Sequence, residues 1–224
     1  HNEAMDRSGW PPNAMMLVKS LGEAAAIMQL SGAPVEAWSA DCDSYYRTMG
    51  RQRAQIWRNA MAVAGGFQVD ERCCFGSAAD ATKCSRITNF IIHEARRAMA
   101  EVDTRYPSID PRIQAWQRRR REALDASPEF STGEHADALG TAGGYIDDLS
   151  GVSFADECVS ADGQPLLRAG APVRRSTLHF EALVRTLERY GYTSKPSKEQ
   201  PPGGSIEVLG VKLDLALGRM TLLE

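Results

Sequence analysis

Long apolar runs are missing from this chain. No segment approaches the roughly 18 consecutive apolar residues that a membrane-spanning helix requires, and no basic–apolar–small leader opens it. Cysteine is sparse. Cys42, Cys73, Cys74, Cys84 and Cys158 are odd in number, include one adjacent pair and show no C-x-x-C spacing. Neither a disulfide framework nor a zinc site is therefore supported. Internal repeats and low-complexity tracts are also absent. A net charge of −3 argues against a uniformly basic surface, although a local basic channel remains compatible with it. A reducing, intracellular setting (cytoplasmic or nuclear) without membrane attachment is the expectation. The first residue is His1 rather than Met, as expected of a piece of a longer reading frame.

What remains is an ordinary globular composition, with 43% hydrophobic and 25% charged residues in 224, enough chain to bury a real core. Residues 13–30 carry Leu17, Leu21, Ala24 and Met28 at helical spacing, and Ser85 to Val102 carry Ile87, Ile91, Ala95, Ala98 and Val102. Thr177 to Tyr190 forms a third helical pattern, with Leu183, Leu187 and Tyr190 on one face. Val35 to Arg47 reads as a strand entering a polar turn. Ile56 to Val69 reads as a hairpin turning at Gly65-Gly66. Thr141 to Phe154 reads as a second hairpin with Asp147-Asp148 at its tip. Tyr106 to Asp137, with Pro107, Pro111, Pro128 and Gly133 around an arginine run, resembles an insertion. Lys195 to Gly204 is a Pro/Gly-rich turn, and Val211 to Leu217 alternate as a strand that turns back at Gly218-Arg219. The irregular order of helices and strands favours an α+β fold, with helices on one face of an antiparallel sheet.

The Asp147-Asp148 pair poses the chemical question. Adjacent carboxylates repel, and a surface turn is their ordinary home. Their alternative is a divalent cation that cancels the repulsion. Asp41, at the end of the first strand and followed five residues on by Tyr46, supplies a third carboxylate if that strand docks beside the hairpin. Three carboxylates can hold two Mg²⁺ ions about 3.5–4 Å apart for in-line phosphoryl transfer. Arg47, Arg51, Arg53 and Arg58 lie in a stretch without carboxylates until Asp70, suited either to phosphate or to a solvated hairpin edge. The run Arg118-Arg119-Arg120-Arg121 reads as a solvated helix face before a nucleic-acid contact. His93, His135 and His179 lack partners at ligand spacing, and none is read as catalytic.

In this order, SADCDSYYR, CCFGSAADATKCSRI, GGYIDDL, LERYGYTSKPSKEQ and IEVLGVKLD resemble the five successive palm motifs of reverse transcriptases, most closely those of retroelements. The resemblance spans about Val35 to Asp214. It departs from the family where Ala81 replaces the usual proline beside an unexpected Asp80, and where no basic finger segment precedes Val35. The fold so implied is a polymerase palm, a ferredoxin-like antiparallel sheet with helices on one face and partial fingers. Its divisions would be 1–34 (partial fingers and N-terminal helix), 35–205 (palm, with an insertion at about 103–138) and 206–224 (a primer-grip-like hairpin). The activity implied is RNA-directed DNA polymerisation with two Mg²⁺ ions, or Mn²⁺. Asp41, Asp147, Asp148 and the Cys42 carbonyl would be the metal ligands, with Lys198 as general acid toward pyrophosphate. Asp43 and Ser44 amides and Arg47 would lie near the triphosphate, Tyr46 beneath the sugar, and Phe75 and Gly76 around the incoming nucleotide. Leu209 and Gly210 would grip the primer. The implied partners are a primed RNA or DNA template, deoxynucleoside triphosphates, and the remaining fingers, thumb and possibly ribonuclease H domains of a parent polyprotein. An RNA-dependent RNA polymerase and a catalytically silent scaffold are the alternatives.

Overall fold

The computed structural model describes residues 14–50, 60–73, 78–126 and 137–223. In chain order the elements are α1 (Ala14–Gln29), β1 (Val35–Asp41), the single-turn α2 (Tyr45–Thr48), β2 (Ala60–Val63), β3 (Gly66–Val69), α3 (Ala78–Arg105), α4 (Pro111–Ala126), β4 (Gly140–Tyr145), β5 (Asp148–Phe154), β6 (Leu167–Arg168), β7 (Ala171–Pro172), α5 (Arg175–Arg189), β8 (Gln200–Gly203), β9 (Ser205–Val208), β10 (Val211–Asp214) and β11 (Arg219–Leu222). The fold is mixed α and β with antiparallel sheets. The central sheet has the order β4-β5-β1-β8, and β9, β10 and β11 form a second sheet with β10 in the middle.

Residues alternate faces along a strand, and β1 and β5 pair in register from Val35↔Phe154 to Asp41↔Asp148. One face therefore carries Trp38, Ala40 and Leu149, which join Ile91, Ile92, Ala95 and Met99 of α3 and Ala182, Leu183 and Leu187 of α5 in the first core. The other face carries Val35, Ala37, Val152 and Phe154, which join α1, α4 and the second sheet in a separate core. Helices thus cover both faces, contrary to the expectation of one. Leu17, Val18, Ala25 and Met28 give α1 an apolar side, and the Tyr106–Asp137 stretch contains a helix that buries Ile113 and Trp116 in the same core.

Gly143 and Gly144 fit between these layers. A Cβ on Gly144 would lie 2.5 Å from Thr88 and 2.8 Å from Leu149, and one on Gly143 would strike Leu17 of α1. A Cβ on Gly151 would strike the Trp38 indole. These glycines let helices and an indole approach the strands closely.

Three local expectations shift. The hairpin of β2 and β3 turns at Ala64-Gly65, one residue earlier than read, because Gly66 already pairs with Val63. The stretch 195–204 is not only a turn. Residues Gln200–Gly203 form the edge strand β8, where prolines lacking an N–H are tolerated. On α3 the buried stripe runs through Cys84, Thr88, Ile91, Ala95 and Met99, while Ile87 and Ala98 are only partly buried at its border. The helix is wedged between β4 and α5, so its packed face is turned toward both.

Candidate active site

Beyond the second core, the face that carries Val35 and Phe154 becomes polar. The next rung is Ser39↔Ser150, and the last is Asp41↔Asp148. Asp147 follows from the turn. Two residues, Ile146 and Asp147, connect Tyr145 to Asp148 across the β4–β5 hairpin. The amide of Cys42 donates to the Asp147 carbonyl at 3.1 Å, which fixes the tip against the end of β1. Ile146 holds φ 58°, an unusual conformation for a β-branched residue. Thr88 of α3 donates its hydroxyl to the Ile146 carbonyl.

Lys198, in a single 3₁₀ turn over 196–198, points its ammonium at this end of the sheet. Its Nζ donates to Asp41 Oδ2 at 2.8 Å, and the Lys195 amide donates to the Asp41 carbonyl at 2.8 Å. The ion pair raises the Lys198 pKa. Burial, then repulsion from Asp147 and Asp41, pushes the Asp148 carboxyl up to about 6, with Lys198 acting in the opposite sense. Asp147 is raised for the same leading reason, desolvation. Buried and flanked by the three acids, the Cys42 thiol is pushed up to about 12 and is not a thiolate ligand at neutral pH.

A cavity of about 440 Å³ opens beside the carboxylates. Ser39, Asp41, Asp148, Ser150, Lys198 and Gln200 line it, with Glu199, Glu207 and Val208 completing the wall. Gln200 ties the wall together: its Nε2 donates to Ser39 Oγ at 2.8 Å and to the Glu207 carbonyl at 2.7 Å, and its Oε1 accepts from the Glu207 amide at 2.8 Å. Ser39, Ser150 and Gln200 were not singled out from the sequence. The two serines lie two residues from Asp41 and Asp148, on the same side of their strands, so strand alternation was the available signal.

The other expected site residues are distributed around this end. Tyr46 is largely buried in the first core. Burial, then Cys84 and Asp147, pushes its phenol up to about 12. Asp43 is exposed, and its amide donates to the Thr193 carbonyl at 2.8 Å. Ser44 adopts φ 51° at the start of α2. Arg47 is paired with Asp70 beyond β3, which ties α2 to the β2–β3 hairpin. Leu209 and Gly210 form the two-residue turn from β9 to β10, with φ 52° and 75°; both signs are those of a type I′ turn. Phe75, Gly76, Cys74, Arg51, Arg53, Arg58 and His135 lie outside the described residues.

The donor set is chemically suited to a hard divalent cation: carboxylate oxygens that repel one another, with one lysine as the local counter-charge. In the present side-chain arrangement, no group of three His, Cys, Asp or Glu among the described residues is poised to hold a metal. Lys198 instead neutralises Asp41.

Sequence reasoning also missed a buried polar network on the opposite sheet face. Arg175, with no solvent exposure, donates Nε to Asp156 at 2.8 Å and Nη1 to Asp103 at 2.7 Å. His179 bridges Asp103 and Ser153, each at 2.9 Å, and the Trp38 indole N–H reaches Ser153 Oγ at 3.3 Å. His179 is therefore a satisfied core histidine that joins α3, α5 and β5.

No family model matches the chain, and no curated protein does. Among solved structures, it is similar to a foamy viral protease–reverse transcriptase in complex with an RNA/DNA hybrid, at 13% identity and a TM-score of 0.44, covering 84% of this chain and 17% of that one. It is also similar to prototype foamy virus protease–reverse transcriptase, native (11% identity, TM-score 0.44, 93% and 19% coverage) and as the CSH mutant (10%, 0.45, 99% and 20%). The chain thus spans about a fifth of the length of these proteins. Among the described residues, no helix is long and apolar enough to cross a membrane.

Proposed function

We propose that this chain is the palm of an RNA-directed DNA polymerase from a retroelement, which extends a primer 3′-hydroxyl with deoxynucleotides. The observation that carries the reading is the strand register that sets Asp41 directly across from Asp148, with Asp147 bound to the adjoining Cys42 amide. A scaffold alone has no need to gather three repelling acids at one end of the sheet.

Asp41, Asp147 and Asp148 would hold Mg²⁺, with the Cys42 carbonyl beside them. Bound there, the cations would supply the charge neutralisation needed by an attacking hydroxyl and a departing pyrophosphate. The remaining roles belong to the chain. Asp41 keeps Lys198 protonated, so the ammonium at this edge is charged and has a proton to give to a leaving phosphate oxygen. The Tyr46 ring, held in the core below Asp147, would act as a steric floor against a ribose 2′-hydroxyl and so favour deoxynucleotides. Ser44 would offer its backbone near the triphosphate, and the rigid Leu209-Gly210 turn would bear on the primer strand.

The test is primer extension on poly(rA) primed with oligo(dT) by the full-length parent protein, wild type against Asp147→Asn. We expect incorporation by the wild type alone; equal incorporation by both, or none by either, ends the catalytic reading. One observation favours a second reading, the silent scaffold. With Lys198 on Asp41, no three donors among the described residues stand ready for a metal. Calorimetric titration with Mn²⁺ separates the two, since a scaffold gives no heat that depends on Asp41 and Asp147.

A further inference from the structure

The cavity beside the acids has a floor that packing does not explain. Along the shared face of β1 and β5, the inner rungs Val35↔Phe154 and Ala37↔Val152 are apolar and sealed into the second core. The next rung outward is a pair of serines. Ser39 is 6% exposed and Ser150 only 1%, burial at which alanine or valine would serve the fold better. Ser39 Oγ is occupied by Gln200. Ser150 lines the cavity, and its buried Oγ has no hydrogen-bond partner among the described residues. A buried hydroxyl left unpaired costs about 1–3 kcal/mol, so its retention against a cavity wall points to a ligand that completes it.

The surrounding charge says what kind of ligand. Asp41, Asp148, Glu199 and Glu207 line the same space against the single ammonium of Lys198, so a phosphate is repelled from the floor. A neutral, oxygen-rich group is not. The volume, about 440 Å³, suits one sugar unit and part of its neighbour, and the acids at the mouth are where a 3′-hydroxyl would have to react. Resting on the polymerase reading above, we infer that Ser150 is a positioning residue which hydrogen-bonds the terminal deoxyribose of the primer strand. The sugar sits on the serine rung and its phosphates stay outside, toward solvent.

The test measures binding without chemistry. A fluorescent primer–template is titrated with the intact chain, wild type and Ser150→Ala, with no nucleotide added. A second primer ends in a propanediol spacer in place of its last nucleoside. Wild type should bind the ordinary primer about three- to tenfold more tightly than Ser150→Ala does, the range of one hydrogen bond. The spacer-ended primer should bind both proteins alike, because the partner of the hydroxyl is gone. The unfolding midpoint of Ser150→Ala should be unchanged or higher, since an unsatisfied buried group has been removed. Ser150→Cys fills the same space and serves in its place if the alanine variant does not fold; it should also bind the ordinary primer more weakly. Equal affinity of wild type and variant for the ordinary primer overturns the inference, as does an equal loss on both primers or a lowered midpoint with unchanged affinity. A wild type that binds no primer–template at all overturns the polymerase reading itself.

Discussion

Replacing Asp148 by asparagine should stabilise the metal-free protein, and only above the ordinary carboxylate range. Burial first, then Asp147 and Asp41, moves the Asp148 carboxyl from 3.8 to about 6 in the folded state. A raised carboxylate pKa means that the folded chain binds its proton more tightly than the unfolded chain does. Well below its ordinary value of 3.8 the group is protonated in both states and contributes nothing. As pH rises through the interval to about 6, the folded chain must hold a charge in a place that disfavours it, and stability falls. The full shift corresponds to about 3 kcal/mol. The cavity is open to solvent, however, and screening reduces this to roughly 1–2 kcal/mol. Asparagine keeps the shape and cannot ionise, so it removes this penalty.

The assay is urea unfolding of wild type and Asp148→Asn in EDTA at pH 4, 6 and 8, with the m-values compared to confirm equal exposure on unfolding. The difference should be near zero at pH 4 and reach about 1–2 kcal/mol in favour of the variant at pH 8, or roughly 2–8 °C in Tm for a chain of this size. Other groups titrate in the same window, among them Asp147, which burial also raises. For that reason the difference between the two proteins is diagnostic and neither curve alone is. A difference that is the same at all three pH values, or a variant less stable at pH 8, would refute the placement of Asp148 among repelling acids.

Gly144→Ala should lose about 1–3 kcal/mol by overpacking, because its new methyl would press on Thr88 and Leu149; denaturant midpoints check it. Arg175→Met should cost about 3–5 kcal/mol, leaving Asp103 and Asp156 buried without their cation, and circular dichroism melting measures the loss. Cys42, Cys84 and Cys158, all buried with thiols pushed up to about 12, 12 and 11, should resist iodoacetamide at pH 8 until the protein is unfolded, as peptide mapping would show.

Much of the fold was legible because its signals are local. Periodicity located α1, α3 and α5, and the glycine-bounded segment around Asp147-Asp148 folds as the hairpin it suggested. What escaped depends on contacts distant in sequence. Trp116 and Ile113 lie among arginines and look like part of a solvated segment, yet they pack on Phe154 and α1. The prolines of β8 read as a turn because propensity cannot see a sheet edge. His179 was isolated in sequence, whereas Asp103 and Ser153 reach it from 76 and 26 residues away. At the site, the acids could be named from the chain, but the Lys198–Asp41 pair and the Gln200 clasp exist only once β8 lies against β1.

Several unfavourable terms of this molecule fall close together. Along β1 and β5, one end of the sheet holds apolar rungs inside a closed core. The other end gathers a β-branched residue at positive φ, three carboxylates with two of them raised in pKa, and a serine hydroxyl without a partner. Each costs on the order of 1–3 kcal/mol, and none is required to close a four-stranded sheet. A glycine at 146 would relax the turn, asparagine at 148 would relieve the repulsion, and alanine at 150 would satisfy the core. That three independent violations of local preference sit within five residues of one another, while the inner rungs obey every rule, is the pattern expected where a chain has kept a site at the expense of stability.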